Sequence, residues 1–118
     1  MPTLGSSKYH TESVNLTTTS DTDVYVVPNN FSSHVAHFFI TNNDNSNQTY
    51  TLKFYHFDDN TTHTLLDGHA ANSKAMESIF TVDKPLYLHA GDKLIVAATT
   101  ANSLVVTVSA EEFYDPNR

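Results

Sequence analysis

From Val14 onward the apolar residues of this chain recur at every second position, and no segment sustains a helical repeat. A period of two marks strands with one buried face. Val14, Leu16 and Thr18 alternate with Asn15 and Thr17. Val24-Tyr25-Val26-Val27 then runs into the breaker Pro28-Asn29-Asn30. His34 to Thr41 sets Ala36, Phe38 and Ile40 on one face, and Asn42 to Asn47 is a loop. Tyr50, Leu52, Phe54 and His56 share a face opposite Thr51, Lys53, Tyr55 and Phe57. After the turn at Asp58-Asp59-Asn60, Thr62 to Leu66 reads as a short strand before Asp67-Gly68. Ala70 to Glu77 is the one stretch where a helical turn competes; a loop followed by a strand over Met76 to Val82 fits its β-formers better. Leu86 and Leu88 face inward, Gly91-Asp92 is a tight turn, and Leu94 to Ala98 returns. Leu104, Val106 and Val108 are the last inward set. The pattern predicts an all-β, antiparallel, jelly-roll-like β-sandwich of about eight short strands with little or no helix. With only three glycines, Asn and Asp are expected at several left-handed turn positions.

At 118 residues there is room for one core. The aperiodic, polar residues 1–13 read as an N-terminal arm, and residues 14–118 as a single sandwich domain. Such an arm carries little apolar surface with which to dock on its own domain, so a neighbouring chain is the expected anchor. Thr, Asn and Ser, rather than charge, replace the missing hydrophobic residues, which argues against disorder. The net charge is −7, with six Lys plus Arg and no basic cluster. Counterion release on nucleic acid, or attraction to anionic lipid, needs the opposite balance. No cysteine is available for a disulfide, a thiolate metal site or a thiol nucleophile. The N-terminus lacks an apolar leader, so synthesis in the cytoplasm is expected.

Chemistry-bearing patterns are sparse. His34 and His37, three apart on a strand, should project to opposite faces. His56, His63 and His69, with Asp58, Asp59 and Asp67 nearby, are the ligand set one would draw for a metal enzyme on a cupin-like barrel. The H-x-H pair of such barrels is missing, and polar histidines scattered on loops and edges fit better. Asp58-Asp59-Asn60 lacks calcium-loop spacing, and neither a G-x-S-x-G elbow nor a phosphate-binding glycine loop occurs. No catalytic residue, metal ligand or cofactor is therefore assigned. The aromatics Tyr25, Tyr55, Phe57, Tyr87, Phe113 and Tyr114 fall opposite the expected core sets or at the chain end, and form the candidate interface.

Val24 to Asn30, the strand ending Ile40-Thr41-Asn42-Asn43, Tyr50 to Phe54, Lys84-Pro85-Leu86-Tyr87-Leu88-His89-Ala90-Gly91-Asp92-Lys93-Leu94-Ile95-Val96, and Leu104 to Ser109 form a set of strings. Together they resemble small bacteriophage virion proteins. The resemblance spans about Val24 to Glu112. It implies a jelly-roll-like sandwich serving as a structural part of a phage particle, on the head, neck or tail, and brings no catalytic residues. The expected function is a capsid decoration (cement) protein of the virion that binds the assembled shell and stabilises it through protein contacts. Its partners would be the major capsid protein or neck and tail proteins, and it would act as a homo-oligomer, a trimer being natural at a three-fold site. A neck or tail accessory protein and a carbohydrate-binding sandwich module are the alternatives.

Overall fold

A computed structural model describes residues 6–116, and among these there is no helix. Nine strands follow in order: β1 (Ser7–Asn15), β2 (Thr22–Val26), β3 (Phe31–Asn42), β4 (Gln48–His56), β5 (Thr61–Ala71), β6 (Met76–Phe80), β7 (Leu86–Leu88), β8 (Lys93–Ala98) and β9 (Leu104–Tyr114). They form two antiparallel sheets. Sheet A has the order β1-β9-β3-β6, with β7 also paired to β3, and sheet B has the order β2-β8-β4-β5.

The topology follows from one nested set of pairings. β1 pairs with β9, β2 with β8, β3 with β6 and β7, and β4 with β5, all antiparallel. This is a long hairpin whose ends meet, folded over so that β9 also pairs with β3 and β8 with β4. β6 and β7 are one course along β3, interrupted where Thr81 and Lys84 pair across a turn and Pro85 has no N–H to give. Counted so, the chain makes eight courses in two sheets, the jelly-roll arrangement.

The core lies between the sheets. Val35, Phe38, Ile40, Leu88, Val106, Val108 and Ala110 come from sheet A, and Val24, Tyr25, Tyr50, Leu52, Leu94, Val96 and Ala98 from sheet B; all are buried. Two bulges change the expected phase. One between Asp23 and Tyr25 turns both Val24 and Tyr25 inward. Another between Val35 and His37 makes Val35, not Ala36, the partner of Phe38 and Ile40 in the core. An extra residue in one strand shifts every later side chain to the other face.

Two further expectations are corrected. Residues 1–5 of the expected arm lie outside the described residues, but Ser7 to Asn15 is a strand of the same sandwich, in unbroken register with β9. Its docking needs little apolar surface, because ladder bonds hold it and hydroxyls pair across the strands: Thr11 with Ser109 at 3.0 Å and Ser13 with Thr107 at 2.9 Å. The strand expected over Thr62 to Leu66 is instead eleven residues long, carried past Asp67 and Gly68 by bulges opposite β4. Asn30, Asn60 and Asn102 take left-handed conformations, together with Lys74, Gly68 and Gly91.

The Ala90-Gly91-Asp92 turn is a knot. Gly91 has φ +85°, and a Cβ there would lie 2.6 Å from Cγ of Phe57. Asp92 is buried; its carboxylate accepts the N–H of Phe57 at 3.0 Å and of His89 at 2.9 Å. Its carbonyl accepts Val27 N–H, and Gly91 N–H bonds back to Val27. One turn thus ties the end of β2 to the β4–β5 turn. Gly91→Ala should lower stability by about 3 kcal/mol or more, backbone strain contributing roughly 1–3 kcal/mol and the clash the rest. In a Phe57→Ala background the same substitution should cost less, the strain part and the 3.0 Å approach to the Cβ of residue 57 remaining, as urea unfolding of the four proteins would measure.

Candidate interaction surfaces

The six aromatics singled out in the sequence do not form one patch. Tyr25 is corrected outright. The bulge after Asp23 turns it into the core, where 2% of it is exposed. Its hydroxyl donates to Glu112 Oε2 at 2.6 Å and, having spent its proton, accepts from Ser33 Oγ at 2.8 Å. Tyr55 is half-buried on the outside of sheet B, bonded to Asn60 Oδ1 at 2.7 Å with the Lys93 ammonium 5.4 Å above its ring. Tyr114 is half-buried, edge-on to Phe31 at 5.6 Å. Phe57 is exposed on the β4–β5 turn. It borders an open groove of about 290 Å³ lined also by Val27, Asn29, Asp58, Ala90 and Gly91. Tyr87 and Phe113 share the outer face of sheet A. Tyr87 is 68% exposed and stacked on His34 at 4.8 Å, while Phe113 is half-buried opposite Ser32.

The two outer faces differ in kind. Sheet B presents threonines and ion pairs: Lys53 with Asp21 at 3.0 Å and Lys93 with Asp23 at 3.3 Å. Sheet A presents hydroxyls, imidazoles and aromatic rings. Register places Tyr9, Glu111, His34 and Tyr87 side by side on one rung across β1, β9, β3 and β7. Thr11, Ser109 and His37 make the next rung, and Ser13, Thr107 and Phe39 the one after. Among the outward positions of these strands Glu111 is the one carboxylate, and no Lys or Arg occurs. The bulge after Val35 brings His34 and His37 to the same face, correcting the expectation that they diverge, and His37 stacks on Phe39 at 5.6 Å. Tyr9, 83% exposed, belongs to the segment the sequence reads as an arm and is not among the candidate aromatics.

Two tyrosine–carboxylate ties cross between the sheets. Besides Tyr25–Glu112, the Tyr50 hydroxyl on β4 donates to Glu77 Oε1 on β6 at 2.7 Å, and Glu77 Oε2 lies 2.9 Å from His69 Nε2. Lys8 Nζ, 3.7 Å from Glu112, covers the first tie from the solvent side. Burial, and then the bond to a carboxylate, drives both tyrosine hydroxyls far up in pKa, so both stay protonated. For Glu77 burial acts to raise the pKa. The hydrogen bonds from Tyr50 and His69 and the charge of His69 outweigh it and hold the carboxyl below its ordinary 4.5. The second tie borders a cleft of about 350 Å³ between the β5 and β6 edges, with Ile40, Ala71 and Met76 also on its wall.

His56, His63 and His69 do not converge. His56 bonds Asp59 at 3.1 Å, His63 lies 3.3 Å from Thr61, and His69 holds Glu77. Among the described residues no three His, Asp or Glu side chains come together as a metal-binding set. Thr61 gives its proton to Asp59 at 2.6 Å, so His63 is not placed to act as its base. His56 is raised in pKa, chiefly by its bond to Asp59. A scan against protein-family models finds no match for this chain, and neither do searches of curated proteins and of solved structures.

Tyr25→Phe should cost about 2 kcal/mol, because it strips the donor from a buried carboxylate. Combined with Glu112→Gln, the loss should be less than the sum of the two single losses, as a double-mutant cycle would show. Glu77, depressed in the fold, contributes stability that is present above its ordinary 4.5 and lost as pH falls through its folded value. The acid limb of a melting-temperature profile should accordingly be shallower for Glu77→Gln, which keeps an acceptor for Tyr50.

Proposed function

We propose that this chain is a non-enzymatic structural component of a bacteriophage particle, a decoration protein that seats on the assembled shell by protein contacts. The observation that carries the reading is the filled interior. Among the described residues, eighteen buried hydrophobic side chains close the space between the sheets, and the buried Ser33, Asn42, Asp92, Ser103 and Glu112 spend their polar groups on partners inside the fold. What is left to act is the outside of the molecule. Jelly rolls serve as capsid, lectin and cupin domains alike, so topology alone does not choose among them. The cupin role needs an interior ligand set, and here that space is apolar. The strings from Val24 to Glu112 that resemble phage virion proteins favour the capsid role over the lectin role.

The end of the sandwich bearing Phe57 suits the shell contact. The ring is 57% exposed, its backbone N–H is locked to buried Asp92, and the groove beside it has room for a partner side chain. An exposed aromatic held on a rigid turn loses little freedom on binding. Particles purified from the source should contain the chain at roughly hundreds of copies for a shell component, or on the order of ten for a neck or tail ring, by quantitative mass spectrometry against the major shell protein. Absence from particles would reject the reading. Where the chain is present, Phe57→Ala should reduce rebinding to stripped particles about tenfold or more.

A further inference from the structure

The free edges of both sheets are guarded. β1 turns Lys8, His10 and Glu12 toward the inner side, β5 is bulged opposite β4, β2 is bulged and five residues long, and the β6–β7 edge is broken by a turn. Inward charges, bulges and short strands are the devices that prevent sheets from extending edge to edge. Self-association therefore falls to a face, and the ion-paired exterior of sheet B is well solvated.

The exterior of sheet A has a further property: its exposed rung is a palindrome in character. Read across the sheet it runs tyrosine, carboxylate, imidazole, tyrosine: Tyr9, Glu111, His34, Tyr87. Set a two-fold axis parallel to the strands, in the plane of contact and between β9 and β3. It lays β9 of one copy over β3 of the other, and β1 over β7. Glu111 then faces the second copy's His34, and Tyr9 faces the second copy's Tyr87, each contact occurring twice. Other rungs obey the same rule, with Thr107 opposite Phe39.

The size fits as well. Four strand courses at ~4.8 Å and nine residues at ~3.4 Å give a face of about 600 Å² in projection. Side-chain relief carries its accessible area toward the ~800 Å² per partner of a standard interface. Tyrosine, serine, threonine and histidine with few charges make a surface that buries area at low entropic cost.

We infer that the outer face of sheet A is a self-complementary dimer interface, and that its occupant is a second copy of this chain, packed back to back about a two-fold axis. The arrangement is a closed, isologous pair, in place of the trimer expected from the sequence. It rests on the geometry of the face and holds whether or not the chain belongs to a particle.

Charge exchange between two variants tests it; because His34 and Glu111 are also cross-strand neighbours within one copy, urea unfolding of each variant separates that internal effect from the change in dimerisation. In Glu111→Lys, Lys faces His34 twice across the axis; in His34→Glu, Glu faces Glu111 twice. Each single variant should raise the dimer Kd by about tenfold or more. Mixed in equal amounts they put Lys opposite Glu and His opposite Glu, and should restore a mixed dimer. Analytical ultracentrifugation reads all three, with circular dichroism confirming that each variant is folded. Wild-type protein at twice 13.1 kDa, weakened in each variant and restored in the mixture, is the expected result. A wild-type monomer or trimer throughout the micromolar to millimolar range would overturn the inference. So would a dimer that neither variant weakens, or variants that fail to complement. If protein dimerises but is absent from particles, the particle reading fails and this one stands.

Discussion

The pairing of β1 with β9 joins residues about a hundred positions apart, and the other pairings are nested inside it. Once Ser7 lies opposite Phe113 and Asn15 opposite Val105, β2 comes to meet β8, and β3 the β6–β7 course on its side away from β9. The hairpin at β4–β5 is the one local closure in the set. A chain so dominated by non-local contacts gains little until its ends are close, because loop-closure entropy must be met first. The sequence answers with runs of alternating apolar residues in β3, β4, β8 and β9, the strands that have partners on both sides. These give the collapse its driving force, and the edge strands β1 and β5 are left largely polar.

Hydrophobic burial would tolerate several registers of such a sandwich; the buried polar groups tolerate one. Tyr25 must find Glu112 and Ser33, Asp92 must find two N–H groups, and Asn42 must reach Ser46 and Ala71 carbonyls while accepting from Asp44. A slip of two residues, which keeps the apolar set inward, would part each of them from its partner at a cost of about 1–3 kcal/mol apiece. The stabilising share of these ties is modest when they are made. Their larger effect is on the alternatives, which they penalise together. The tyrosines add a second economy: a ring that fills the core and a hydroxyl that crosses it.

How much of this was legible follows from what alternation can and cannot encode. Leu94, Val96 and Ala98, or Leu104, Val106 and Val108, lie in uninterrupted ladders, and their inward set is visible in the sequence. Ala36 was assigned inward and Tyr25 outward because a bulge is one extra residue with no residue type of its own. Nothing in Val35-Ala36-His37 or Asp23-Val24-Tyr25 announces it. The N-terminal strand was missed for a different reason. Apolar periodicity registers burial, and β1 is held by backbone bonds and by hydroxyl pairs that carry no apolar signal. The strand order was out of reach as well, since sandwich and barrel share one period. Of the aromatic set, Tyr87 and Phe113 reach a common face, while Tyr9 and the two histidines that complete that face were hidden by the same bulge and the same polar strand.

That bulge links the core to the surface. Were the same residues paired without a bulge, the phase that buries Phe38 and Ile40 would turn Ala36 inward and His34 with it, and the exposed rung would lose its imidazole. With it, Val35 fills the core, and His34 and His37 both emerge beside Glu111 and Tyr87. Bulges gather where a sheet must re-aim a side chain. Here one insertion satisfies the apolar layer and supplies the outer face of sheet A with the groups that distinguish it from sheet B. The asymmetry between a solvated, ion-paired face and a nearly uncharged aromatic one is therefore a property of strand phase as much as of composition.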